Sequence, residues 1–555
     1  MFALQLKGFL KLNLPAGFKT IIMRKIETVG LVKLFFNRTI KLLSVFVFLF
    51  VSLQLLGQTV PDDVQKVLDA AGKNKVELEK VLHHYQKQKD SLKLRAAWFL
   101  IANMNGQCYA KAKLVDTSGN RIKFNVLDYP DYKTMVAAWD SVEHNIGTID
   151  FTRDTLIYDI NIITADYLIE NIDLAFKAWN KPWARQLTFE EFCEYILPYR
   201  DSNEPLEPWR RRMYKKYSWV QDSMTDKTNP TEACILINNE IKSWYKFDPL
   251  FYRHPTDLGL SEMEEYKRGR CEDMTNLALY AMRAQGVPVM SDYTPAWPNT
   301  GNNHAWNATL TKDGKVVIFM GGLDNPYQYK LDNKKAKVYR KTFGRQKNSL
   351  SLTKPDYEKV PGWLASSHYI DVTKDYIPTA NVKLKLQRPK PDSVNYAYLY
   401  VFNSGDWTAI QWGKITGDSV TFTDMGKGIA YLPCYYKNGD YLPAGNQFIL
   451  QEDGTVKRNV ADTLHTMNVD LYSTTRKKTV KATDEIEKAH FNPGAEYELF
   501  YWNDKWVKVA SKIAKKDKPL HFEKVPQGAL YWLVEKDSKK EERIFTLENG
   551  EVNWW

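Results

Sequence analysis

The sequence predicts a multidomain α+β protein: an α-helical N-terminal region, a mixed core of helix, strand and hairpin, and tandem C-terminal β-sandwich domains. Three observations predict it. Apolar residues recur at three- and four-residue steps from Val60 to about Asp222. A helix–strand–loop–hairpin order follows, and beyond Tyr369 short alternating strands are separated by Gly, Asn and Asp turns. At 555 residues the chain is too long for one core. Its divisions read as a leader over 1–57, a helical region over 58–230, a core over 231–369, and β modules over 370–475 and 476–555.

The formal charge of +11 belongs mostly to the leader, where eight Lys or Arg face one acid. The rest of the chain carries 69 bases against 65 acids, a diffuse excess that gives no support to a nucleic-acid partner, which requires clustered cations. Arg38 and Lys41 precede an apolar run from Leu42 to Leu56, which is short for a membrane span and ends at the small residue Gly57. This pattern predicts a secretory signal cleaved near Gly57, with Met1 or Met23 as the start and no stable span after removal. The expected location is secreted, periplasmic or at the cell surface. No Cys follows the apolar run, which argues against a lipid anchor there.

In the helical region, Val64, Val67 and Leu68, then Val76, Leu78, Val81 and Leu82, mark helix faces, and further periodic stretches cover about 90–104, 131–139, 165–179, 188–198 and 205–220. Asn229-Pro230 signals entry to a helix over Thr231–Tyr245. A second helix is expected from Cys271 to Gln285, stopped by Gly286, then a short strand over Val287–Ser291. Strands at about 304–311 and 315–320 are joined by an Asp313-Gly314 turn. The β region holds a weak repeat. Trp407, Gly428, Tyr431 and Gly454 match Trp506, Gly528, Tyr531 and Gly550, which suits two copies of one sandwich. The shared Trp positions suit core residues better than a ligand surface.

Five widely spaced cysteines form neither a zinc pattern nor a dense disulfide framework, and an odd count leaves at least one thiol over. Cys271 has the setting of a nucleophile. It stands where a helix begins, after Gly269-Arg270, with Arg268 and Arg270 adding positive charge, and a helix N-terminus beside an imidazole lowers a thiol pKa. His304 opens the first hairpin strand in the run NNHAWN and is the candidate base. Asp324, in GGLDNP after the hairpin, is the candidate carboxylate to orient the imidazole. The remaining histidines form no metal-ligand spacing, and the chemistry requires no cofactor.

The segment GRCEDMTNLALYAMRAQGVPV, followed by NNHAWN and an Asp after a hairpin, resembles the transglutaminase-like (papain-related) core over about residues 231–330. The resemblance implies a Cys–His–Asp triad of Cys271, His304 and Asp324. One departure is that the family often has a Trp shortly before its Asp, where this chain has Phe319–Leu323. Trp244 and Tyr266 are upstream oxyanion-donor candidates that read better as packing residues. Together with the segment Phe189–Arg210, the whole arrangement resembles exported multidomain transglutaminase-like proteins of Bacteroidetes-type bacteria. It implies acyl transfer on an amide through a thioester, as a protease, amidase or cross-linking transferase acting on a protein, peptidoglycan peptide or glycopeptide. The alternative is an inactive transglutaminase-like scaffold that binds peptides or glycans through its β modules.

Overall fold

The computed structural model describes residues 59–475, 489–538 and 542–555, so the leader expected over 1–57 lies outside the described residues. The helical region contains α1 (Asp62–Ala70), α2 (Lys75–Gln88), α3 (Ser91–Ala102), α4 (Tyr132–Ile146), α5 (Ala165–Trp179), α6 (Phe189–Tyr195), α7 (Trp209–Lys216) and α8 (Val220–Ser223). Their starts are set by side-chain caps that satisfy otherwise orphaned N–H groups. Asp90 accepts from Lys93, Asp131 from Thr134 and Thr164 from Tyr167, while Thr188 and Glu191 form a reciprocal box. Among the described residues no helix is long and apolar enough to cross a membrane.

This region is not wholly helical. Strands β1 (Cys108–Asp116) and β2 (Ile149–Tyr158) pair antiparallel on either side of α4. Most of β2 is exposed or half-buried, so the ladder lacks the apolar alternation by which a strand is recognised in sequence.

The core begins with α9 (Pro230–Trp244), entered through the Asn229 cap with Pro230 in the first turn. The two-residue strands β3 (Lys246–Phe247) and β4 (Arg268–Gly269) pair in parallel, and α10 (Leu260–Tyr266) lies between them in sequence. Helix α11 (Cys271–Ala284) is buried at every position except Glu272. It packs on a five-stranded antiparallel sheet in the order β7–β6–β5–β8–β9, formed by β5 (Val289–Thr294), β6 (His304–Leu310), β7 (Val316–Phe319), β8 (Tyr339–Lys341) and β9 (Tyr369–Asp371). Asn307 joins the two layers, donating to the Thr275 carbonyl at 3.2 Å and accepting from the Gly321 N–H at 3.2 Å. A Cβ at Gly321 would lie 2.6 Å from the Met274 carbonyl oxygen, so only glycine permits this approach.

The Phe189–Arg210 segment grips the far end of α11. Arg210 donates to the carbonyls of Ile196, Leu197 and Pro198 and, at 3.2 Å, to that of Arg283. Arg283 in turn donates to the Arg200 carbonyl at 3.0 Å, and Arg200 is locked by Asp159 through two 2.7 Å bonds.

The β region is two copies of one topology. In the first, β10 (Thr379–Lys385) pairs with β13 (Ser419–Gly426) and covers the apolar face of a sheet ordered β12–β11–β14–β16–β17. These are β11 (Tyr396–Asn403), β12 (Asp406–Lys414), β14 (Ile429–Lys437), β16 (Phe448–Leu450) and β17 (Val456–Arg458), with β15 (Asp440–Pro443) beside β14. In the second, β18 (Asp462–Leu471) pairs with β21 (Leu520–Gln527) across from β20–β19–β22–β23–β24, that is β19 (Glu496–Trp502), β20 (Trp506–Ile513), β22 (Tyr531–Glu535), β23 (Ile544–Glu548) and β24 (Glu551–Trp554). The strand Asp462–Leu471, assigned by the sequence to the first module, therefore pairs within the second. Its exposed, polar face conceals that partnership.

The repeat extends to detail. A bulge falls between Leu399 and Tyr400 in one copy and between Leu499 and Phe500 in the other. Tyr431 donates its hydroxyl to the carbonyl five residues back, Gly426, at 2.7 Å, and Tyr531 does the same to Pro526. Gly428 and Gly528, at φ +67° and +71°, make the equivalent left-handed turn before each tyrosine. Tyr431→Phe and Tyr531→Phe should each cost about 1–2 kcal/mol, because a buried carbonyl loses its donor; urea melts of the two variants check the equivalence. Trp407 is buried and Trp506 half-buried, and both belong to an aromatic cluster with Phe402, Trp502 and Trp532 that joins the two modules. They are interior contacts.

Candidate active site

Gly269 and Asp273 shape the entrance of α11. A Cβ at Gly269 would lie 2.2 Å from the Tyr245 hydroxyl and 2.8 Å from Asp273, so glycine lets both close over the helix start. Asp273 accepts from the N–H groups of Arg270 (2.9 Å) and Leu258 (3.0 Å), fixing the extended residue from which Cys271 enters the helix. The positive charge expected from the flanking arginines is matched locally, since Arg268 pairs with Asp248 at 3.0 Å and Arg270 pairs with Asp257. Glu272 faces Lys341 at 3.4 Å.

Cys271 is 6% exposed. Burial, and after it the Glu272 carboxylate, pushes the thiol up to about 11, although the backbone N–H groups of Ala305 and Glu272 and the Arg270 charge favour the thiolate. The sequence led to the opposite expectation, a depressed pKa. Desolvation here outweighs the helix terminus, and the neighbouring cations are already paired.

His304 is the first residue of β6, opposite Thr294 of β5. The backbone N–H of the next residue, Ala305, is among the groups that favour the Cys271 thiolate, so the structure brings the thiol to the start of this strand. The imidazole lies beside Trp297 and Trp306, with ring centroids at 6.2 and 5.8 Å, and the two indoles stack on each other at 6.2 Å. Burial pushes it down to about 4. At neutral pH the pair is a thiol and a neutral imidazole.

The third position differs from the arrangement read in the sequence. The imidazole Nε2 is hydrogen-bonded to the hydroxyl of Tyr329 at 2.7 Å, and among the described residues no hydrogen bond joins His304 to Asp324. Asp324 is held by its backbone, bridged to Met320 and accepting from Asn238 at 3.3 Å. Its charge acts on Tyr329, whose hydroxyl is pushed up by burial first, then by Cys271 and Asp324. The imidazole's partner is therefore a phenol, and Asp324 bears on that phenol only through its charge. A turn at Asn325, which accepts from the N–H of Tyr329 at 3.2 Å, returns the chain and brings the phenol to the Nε2 edge of the ring. Tyr329 was not singled out in the sequence; the Asn325-Pro326 turn signal directly after Asp324 was the available clue.

Trp244 donates its indole N–H to Glu240, one turn back in its own helix, at 3.1 Å. It is not aimed at the thiol. All five cysteines are free and buried. Among the described residues no group of His, Cys, Asp or Glu could hold a metal ion.

Residues 217–319, from before α9 to the end of β7, match the family model of the transglutaminase-like superfamily. The protein therefore carries a transglutaminase-like domain that includes Cys271 and His304 and stops short of Asp324 and Tyr329. No curated protein matches the chain. Among solved structures, the crystal structure of red sea bream transglutaminase aligns at 9% identity over 81% of this chain and 78% of that one, with a TM-score of 0.20.

Proposed function

We propose that the protein is an exported cysteine-dependent acyl-transfer enzyme in which Cys271 attacks an amide carbonyl and His304 is its base. The observation that supports this most directly is the Cys271 sulfur held at a helix start against the backbone of Ala305, beside a histidine whose Nε2 is already anchored. With both groups neutral at rest, His304 takes the thiol proton as sulfur bonds to the carbonyl carbon. The N–H of Cys271 is positioned at the helix start to receive the oxyanion. The imidazolium then protonates the departing amine as the C–N bond breaks, leaving a thioester. Water or an amine attacks the thioester, His304 removes its proton, and the proton returns to the sulfur. Protein, peptidoglycan-peptide and glycopeptide amides all fit this chemistry. The leader pattern supports export.

The test uses p-nitrophenyl acetate as a generic acyl donor, with the acetylated residue located by peptide mass spectrometry. Acetylation confined to Cys271 and absent from Cys271→Ala supports the reading. Acetylation spread over lysines, with Cys271 untouched, would sink it.

Tyr329 enters as a positioning residue. Tyr329→Phe leaves the imidazole without its 2.7 Å partner and should slow acylation about tenfold, while Asp324→Asn, one group further out, should cost less. The distinguishing readout is the His304 ¹⁵N shift. Loss of the phenol should move the Nε2 resonance, which a fold-wide loosening would not do selectively.

A further inference from the structure

Beside the first turn of α11 lies a polar cavity of about 520 Å³ that the acyl-transfer steps leave unused. Its walls come from the helical region, at Asn105–Gln107 and Asp201–Asn203, and from the core around Lys341, Arg345 and Ser367. Cys271 is not itself in the lining, but two lining residues touch its neighbours. Glu272, the residue after the thiol, meets the lining residue Lys341 at 3.4 Å. Tyr293, also a lining residue, stands opposite Ala305 in the β5–β6 ladder, and the Ala305 N–H is among the groups that favour the Cys271 thiolate.

The charges lining this cavity do not cancel. Lys341 sits between Asp201 and Glu272, at 3.4 Å from each, and Asp201 is also 3.6 Å from Arg283. His368 is half-buried, which favours its neutral form, and its Nδ1 is hydrogen-bonded to the Phe343 carbonyl at 2.9 Å. Arg345 is different: its guanidinium reaches the Ser367 hydroxyl at 3.5 Å and has no carboxylate partner among the described residues. One planar, always-charged group with hydroxyls beside it is suited to a carboxylate.

We infer that this cavity takes a carboxylate-bearing residue of a peptide substrate, bound by Arg345 and Ser367 while an adjacent amide is presented to Cys271. The inference rests on the acyl-transfer reading for the second half of that statement, and its test keeps the two apart. Binding is measured calorimetrically with the Cys271→Ala protein, which cannot turn over, using acetyl-Glu-Gln-Glu-amide and the uncharged acetyl-Gln-Gln-Gln-amide. The acidic peptide should bind at least tenfold more tightly. Arg345→Gln should abolish the difference and Arg345→Lys should restore part of it, with melting curves confirming that each variant folds. Equal affinity for the two peptides, a preference that survives Arg345→Gln, or no binding of the acidic peptide at millimolar concentration overturns the inference. Acetylation by p-nitrophenyl acetate, a donor without a carboxylate, is read separately. Its failure removes the acyl-transfer reading and leaves the Arg345 result standing.

Discussion

Replacing His304 with alanine is expected to slow acylation of Cys271 at pH 7 by about 10²–10⁴-fold and to change the shape of its pH profile. The wild-type pair is neutral between about pH 4, where the imidazole protonates, and about pH 11, where the thiol ionises. A base that is already unprotonated and a thiol that is already present give a rate that is flat from about pH 5 to 9. Without His304 only the thiolate reacts, and with a pKa of about 11 the thiolate is about 10⁻⁴ of the population at pH 7. The variant's rate should therefore climb about tenfold per pH unit across the same range. Acylation rates with p-nitrophenyl acetate from pH 5 to 9 decide the matter. Parallel profiles for the two proteins would remove His304 from the chemistry.

The same comparison separates this site from a preformed thiolate–imidazolium pair. Such a pair would alkylate fast with iodoacetamide near neutral pH and lose that speed when the histidine is removed. Here the thiol is shielded and uncharged, and the imidazole is kept neutral by burial beside two stacked indoles. In the proposed reaction, ionisation would therefore be coupled to bond formation, with the carbonyl supplying the driving force that the resting site withholds.

The positions of Cys271 and His304 were legible because each has a local signature, a helix start after Gly-x and the first residue of a hairpin strand, while their chemical roles belong to the proposal. The boundaries of α9, α11 and the hairpin came from caps, periodicity and an Asp-Gly turn, all of which act within a few residues. What could not be read depends on where distant segments meet. The sign of the Cys271 shift is set by burial and by pairing of Arg268 with Asp248 and Arg270 with Asp257, and no spacing rule announces those pairs. Tyr329 looked like any loop tyrosine until the turn at Asn325 placed its hydroxyl at the Nε2 edge of the ring. The β1–β2 ladder was missed, and β18 was grouped with the first module although it pairs in the second, for a related reason: strands that bury little carry little pattern.

A second large effect is expected far from any loop. Asp292 of β5 is fully buried and accepts two bonds from Arg340 of β8, at 2.7 and 2.8 Å, and a third from the Tyr376 hydroxyl at 2.5 Å. Tyr376 also accepts from the indole of Trp306 at 2.9 Å, and Trp306 flanks the His304 ring. The carboxylate thus ties two strands of the sheet to the residue that walls the base. Asp292→Ala strands a guanidinium that is 5% exposed, and removing one partner of such a pair costs about 3–5 kcal/mol. The pair itself is worth much less, because both ions were desolvated to make it, so Asp292→Ala with Arg340→Met should recover a large part of the loss. Urea unfolding of the single and double variants measures this. If the double variant is no more stable than Asp292→Ala, the penalty is packing and not a stranded charge. If Asp292→Ala unfolds within about 1 kcal/mol of wild type, the network carries little weight. Acylation offers an independent check, because the double variant still lacks the oxygen that holds Tyr376. It should therefore regain stability without regaining the full rate at Cys271, and recovery of both together would show that Trp306 keeps its place without the chain of hydrogen bonds behind it.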